Sequence, residues 1–291
     1  MTFDGQTWVI TGAHGMLGQD LADAVAAAGA TVVGIDRDHA DITSLESLRA
    51  AIPACDVIVN CAAYTAVDAA ETDEEAAWAV NAVGAGNVAT VAAERGARLV
   101  HISTDYVFAG DATDPYGEDD AVAPRSAYGR TKAAGEAAVR ASGADALVVR
   151  TAWLYGARGA CFPTTIARAG RERGALSVVD DQIGQPTWTR DLADFIVRLI
   201  AAHAPAGTYH GTSSGRASWY DFAQEIVAAA GLGDIVTATD SAAFRRPAPR
   251  PAWSVLGHDA ATAAGVTPIG DWRARWQTAA GEVLADQPRA Q

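Results

Sequence analysis

From Thr7 onward, short β-branched runs alternate with longer Ala-rich stretches at helical spacing, a rhythm that restricts the chain to a parallel sheet covered by helices. The expected strands are residues 8–11, 31–35, 57–60, 99–103 and 147–150, whose nearly continuous apolar character suits burial on both faces. Helical patterns lie between them at 16–28, 74–95 and 128–140, the first two closed by Gly29 and Gly96, and right-handed crossovers are expected. Past Arg150 the rhythm loosens into a strand at 176–179 and helices near 191–202 and 218–230, while the prolines of segment 245–251 make it extended. At 291 residues the chain is near the length at which one core divides. The expectation is an α/β fold: a doubly wound parallel sheet in residues 1–150, then a smaller α/β domain in 151–291, parts of which can return to the first.

Composition removes several classes of function. A net charge of −13 is unsuited to tracking phosphates, so nucleic acid is not expected as a partner. Cys55, Cys61 and Cys161 form no CxxC pair and no histidine stands at ligand spacing, which predicts no metal site and a reducing, cytoplasmic setting. The first twelve residues lack a basic stretch followed by an apolar one, so no secretion signal is expected. The uncharged run 76–93 contains Asn81, Asn87, Thr90 and two glycines, too polar for a comfortable membrane span and read as a buried helix.

The first strand runs into Thr11-Gly12-Ala13-His14-Gly15-Met16-Leu17-Gly18 and then a helix. Glycines there let backbone amides approach a pyrophosphate at a helix N-terminus, so Gly12, Gly15, Met16 and Leu17 are candidate cofactor contacts in a Rossmann-type dinucleotide site. His14 reads as loop filler. Asp36, about twenty residues after the glycines, can accept from the adenosine ribose and favours NAD; Arg37 can pair with a 2′-phosphate and favours NADP, or is a solvated loop residue. Tyr128 and Lys132 are four apart on one helix, where an ammonium is expected to pull the phenol's pKa toward neutrality and make it a proton donor. Thr104 ends the preceding strand and faces the same cleft.

These residues, with Asn60-Cys61-Ala62-Ala63-Tyr64-Thr65-Ala66-Val67-Asp68, Ser103-Thr104-Asp105-Tyr106-Val107-Phe108, Arg150-Thr151-Ala152-Trp153 and Asp181-Gln182-Ile183-Gly184-Gln185-Pro186-Thr187, resemble the extended short-chain dehydrogenases. Over nearly the whole chain they are more closely similar to the dTDP-4-dehydrorhamnose reductase family. The resemblance implies NADPH or NADH as cofactor and reduction of the C4 ketone of a dTDP-4-keto-6-deoxysugar to dTDP-L-rhamnose or a sibling deoxysugar. It makes Tyr128 the proton donor, Lys132 the ribose-binding lysine and Thr104 the partner of the substrate carbonyl. It sets Asp41 and Ile42 beside the adenine and Ala62, Ala63, Tyr64 and Thr65 along the cofactor. Asp105 and Trp153 would meet the sugar, Trp153 being alternatively a core or interface residue, and Arg250 would meet the diphosphate.

Two departures stand out. Segment 250–256 reads Arg-Pro-Ala-Trp-Ser-Val-Leu where relatives often carry an Asn, and Asp20 and Arg190 occupy positions at which some relatives place magnesium-binding glutamates of a dimer, so a monomer or a homodimer is expected. A cofactor-binding subunit without catalysis is the rival from another class; turnover distinguishes it. Because Asp36 favours NADH while the resemblance implies NADPH, both cofactors should support turnover. Initial rates with each at matched ketosugar concentration measure this, and inactivity with either would refute the reading of the Asp36-Arg37 pair.

Overall fold

The computed structural model describes residues 2–285. The first half alternates β1 (Thr7–Thr11), α1 (Met16–Ala27), β2 (Thr31–Ile35), α2 (Leu45–Ala51), β3 (Val57–Asn60), α3 (Glu74–Trp78), a π turn at Ala79–Gly84, α4 (Ala85–Arg95), β4 (Arg98–Thr104), α5 (Ala127–Ala141) and β5 (Ala146–Thr151). The second half adds β6 (Leu154–Tyr155), α6 (Phe162–Arg173), β7 (Leu176–Val179), β8 (Ile183–Gly184), β9 (Thr187–Trp188), α7 (Thr189–Ala201), β10 (Gly207–His210), β11 (Ala217–Ser218), α8 (Trp219–Ala229), β12 (Val236–Thr239), α9 (Asp259–Ala263) and α10 (Trp272–Val283).

Six strands form one sheet in the order β10-β5-β4-β3-β1-β2, every neighbouring pair parallel. Alternation along β1 shows how both faces are covered. Trp8 and Ile10 enter one core with Leu21 of α1 and Leu192, Phe195 and Leu199 of α7, whereas Val9 enters the opposite core with Leu48, Val88 and Val139. Burial on both faces does not extend to β2, whose Thr31 and Gly34 are exposed because it is the edge strand. The order reverses beside β1, so a crevice is expected at the C-terminal ends of β1 and β3.

Chain from the second half completes this sheet: β10 pairs with β5, and α7 packs on α1. A separate core gathers Tyr155, Ile166, Phe222, Ile226, Trp272 and Trp276 under α6, α8 and α10. The sequence reading passed over α6, and its composition explains why. Its buried positions are only Pro163, Ile166, Ala167 and Gly170, too small a stripe to stand out among its arginines. The helical run Glu74–Arg95 is long and apolar enough, by length and composition, to cross a membrane, but half of its apolar window is inside the fold. It is buried along one face rather than throughout, and Trp78 and Val83 are each 46% exposed.

Helix α5 is tied to the sheet by a buried ion pair. Arg150 on β5 donates through Nε and Nη2 to the two oxygens of Glu136 at 2.9 and 2.8 Å and through Nη1 to the Glu118 carbonyl. Ser103 and Arg140 also donate to Glu136. Burial alone would raise the Glu136 pKa, but these donors, Arg150 foremost, hold it at about 2. A carboxyl depressed on folding contributes stability that is full above its ordinary value of 4.5 and is lost as pH falls toward 2. Replacing Arg150 by Met strands a buried carboxylate and should cost about 3–5 kcal/mol at pH 7. Urea unfolding at pH 7 and at pH 3 measures this, with a smaller difference between the proteins at the lower pH.

Candidate active site

The glycine loop fits a dinucleotide phosphate. Gly12 has φ +69°, and a Cβ there would fall 2.8 Å from the Ala62 amide nitrogen, so the loops after β1 and β3 touch backbone to backbone. Helix α1 starts at Met16 behind Gly15 with no side chain capping it, which leaves first-turn amides, those of Met16 and Leu17 included, for an anion. Asp36, at the end of β2, accepts from the His14 and Arg37 amides at 3.0 and 2.8 Å. Burial pushes its carboxyl up, but those amides outweigh it and hold the pKa below the ordinary value. Arg37 is exposed and His14 lies against Asp36, Nδ1 to Oδ2 3.9 Å. Asp41 turns its carboxylate to Thr43 in its own turn, and the Ile42 carbonyl accepts from Asn87.

A second cluster forms where α5 crosses the end of β4. Thr104 and Thr151 are register partners on β4 and β5, so both strands end at one rim. Thr104 donates to Asp105 at 2.9 Å and lies beside the Tyr128 phenol, and the Tyr106 ring lies edge-on to Tyr128 with centroids 5.7 Å apart. Burial pushes Tyr128 up to about 12, Asp105 adds to this, and Thr104 pulls against it. The expectation that Lys132 draws the phenol down does not hold in this structure. The Lys132 ammonium is buried and donates to the Ile102 carbonyl at 2.6 Å, while burial lowers its own pKa to about 8 against the pull of Glu136.

Asp105 is also fully enclosed. Burial lifts its pKa to about 6, against the hydroxyls of Ser254 and Thr104. Its Oδ2 has no hydrogen-bond partner, since Ser254 lies close but donates to the Ile183 carbonyl at 3.4 Å. Arg250 is brought to the same side, lining a cleft with Tyr106 and Ser126, and forms an ion pair with Asp68 at 2.9 Å. Arg246 shares that partner, so Asp68 ties segment 245–251 to the loop after β3. Trp153, two residues past β5, stacks on Trp219.

Sequence reasoning missed Asn81 and Ser254. Asn81, in the π turn, donates to the Tyr64 carbonyl and the Thr131 hydroxyl and accepts from the Tyr64 amide, fixing the loop 62–65 against α5. An amide inside the uncharged run 76–93 was its one visible signal.

A parallel six-stranded sheet, a glycine cradle at its reversal point and a Tyr-Lys pair beside Thr104 at its rim define a nicotinamide-nucleotide oxidoreductase of the short-chain class. The chain belongs to the family described as RmlD substrate binding domain, whose family model matches residues 6–285. It is 49% identical over 283 residues, 96% of each chain, to a probable dTDP-4,6-dihydroxy-2-methyloxan-3-one 4-ketoreductase of Streptomyces antibioticus. It is 45% identical over 282 residues to a dTDP-4-dehydrorhamnose reductase of Mycolicibacterium smegmatis, 96% of this chain and 86% of that one. The crystal structure of the Bacillus anthracis dTDP-4-dehydrorhamnose reductase in complex with NADP superposes with a TM-score of 0.91 at 36% identity, over 96% of this chain and 99% of the other.

The carboxyl chemistry can be tested without substrate. Asp105 should titrate near 6, and Thr104→Val should move that titration upward, because the hydroxyl that donates to the carboxylate is removed. Carboxyl-carbon NMR against pH reads both values.

Proposed function

We propose that this protein reduces the C4 ketone of dTDP-4-dehydro-6-deoxy-L-mannose to dTDP-L-rhamnose with NADPH or NADH. The observation that carries the reading is the meeting of Thr104, Tyr128 and Lys132 at one rim next to the glycine cradle. When bound, the nicotinamide cofactor supplies the hydride. The Tyr128 phenol, kept protonated at neutral pH by burial and Asp105, gives its proton to the oxygen developing at C4, and the Thr104 hydroxyl donates a hydrogen bond to that oxygen. Lys132, already fixed as a donor, binds the cofactor ribose.

The amides around Gly12, Gly15, Met16 and Leu17 hold the pyrophosphate, Asp36 and Arg37 the adenosine ribose, Asp41 and Ile42 the adenine edge, and Ala62, Ala63, Tyr64 and Thr65 the nicotinamide side. The unpartnered Oδ2 of Asp105 accepts from a sugar hydroxyl. Trp153 lies along the sugar ring, and Arg250 exchanges Asp68 for the diphosphate. The partner is the dTDP-sugar, met by a monomer or homodimer in the cytoplasm, a setting that suits three unpaired thiols.

A second reading is reduction of another dTDP-4-keto-6-deoxysugar. It is favoured by the Streptomyces antibioticus relative and by a 46% identical dTDP-4-keto-6-deoxy-D-glucose reductase of Streptomyces niveus. Product NMR after incubation with each ketosugar separates the two by the configuration at C4. Tyr128→Phe should keep the fold and NADPH affinity while lowering kcat by roughly 10²- to 10⁴-fold, the usual contribution of a general acid. Steady-state kinetics and NADPH titration measure the two effects, and near-normal turnover would remove Tyr128 from the acid role.

A further inference from the structure

Trp153 has a backbone conformation that this fold otherwise gives mainly to glycine. Its φ is +47°, and among the described residues only His203 shares a positive φ without being glycine. A bulky residue in this left-handed region is disfavoured and persists only where its surroundings hold it. Two contacts do so. The indole is pressed against Gly184, where an added Cβ would fall 2.5 Å from ring atom Cε2, so no larger residue fits beside it. The indole also stacks on Trp219, with ring centroids 3.5 Å apart and planes within 6°.

Trp219 is itself rigidly mounted. It is the first residue of α8, behind a Ser218–Asp221 capping box, and Phe162 backs it at 4.5 Å. Gly184 in turn adjoins Ile183, whose carbonyl accepts the Ser254 amide at 2.8 Å, and Ser254 lies beside the Asp105 carboxyl. The clamp around Trp153 is therefore continuous with the carboxyl side of the site.

Resting on the functional reading above, we infer that Trp219 is a positioning residue for the sugar. It acts through Trp153, fixing the plane and height of that indole, and so the position of the sugar ring laid against it. Gly184 closes the clamp from the sheet side. Loss of the stack leaves Trp153 free to relax out of the left-handed region, which weakens ketosugar binding before it touches the chemistry.

The test compares the wild-type protein with W219A, W219F, W153A and the W153A/W219A pair. It measures KM and kcat for the dTDP-ketosugar, NADPH affinity and melting temperature. W219A should raise KM about tenfold, the scale of one lost aromatic pair, with kcat and NADPH affinity close to wild type. W219F should recover most of the lost KM because a ring again backs Trp153. In the W153A background, W219A should add little, since the ring it acts through is gone. A wild-type KM in a folded W219A protein, or additive effects in the pair, would overturn the inference. So would a fall in NADPH affinity and melting temperature that tracks the KM change, which would make the role merely structural. A wild-type protein that turns over no ketosugar would instead overturn the functional reading itself.

Discussion

The Glu136 carboxylate is the point on which the site's arrangement depends. It lies two turns beyond Tyr128 and one turn beyond Lys132 on α5 and accepts from Ser103 on β4 and Arg150 on β5. One charge thus binds the helix that carries the Tyr128 phenol to the two strands whose ends form the rim. Because all its lone pairs are used, the pair is worth its desolvation, and a displaced helix would leave a charge buried and unmet. The same carboxylate raises the pKa of Lys132, so the tie that sets geometry also helps keep the ammonium charged.

Around that tie the site collects polar groups with little exposure. Lys132 and Asp105 are buried and Tyr128 is half-buried, and burial is the largest influence on all three, raising the two acids and lowering the base. Such groups are costly unless satisfied, and most here are: Lys132 by the Ile102 carbonyl, Asn81 by Tyr64 and Thr131. The Oδ2 of Asp105 is the exception.

What could be read in the sequence was what short range determines. The run from Thr11 to Gly18 and the spacing of Tyr128 and Lys132 are local, so their placement on a turn and on one helix face followed from periodicity. The electrostatics of the pair did not, because the direction of the phenol's shift depends on burial and on Asp105, which arrives from another element. Arg250 illustrates the same limit: its chemistry was legible, but its partner Asp68 comes from the far half of the chain. Helix α6 escaped because small residues form its buried stripe, and Asn81 because an amide in an uncharged run has no periodic signature.

The late arrival of β10 has a bearing on how the chain is made. Strands β1 to β5 can pair as they emerge from the ribosome, each next to one already present or soon to follow. Yet β5 keeps an open side until residues 207–210 have been synthesised. During that interval the nascent protein presents an unpaired edge of Leu147, Val148 and Val149, a template for pairing with another chain. Strand β10 therefore covers the side of β5 that the first half of the chain leaves open.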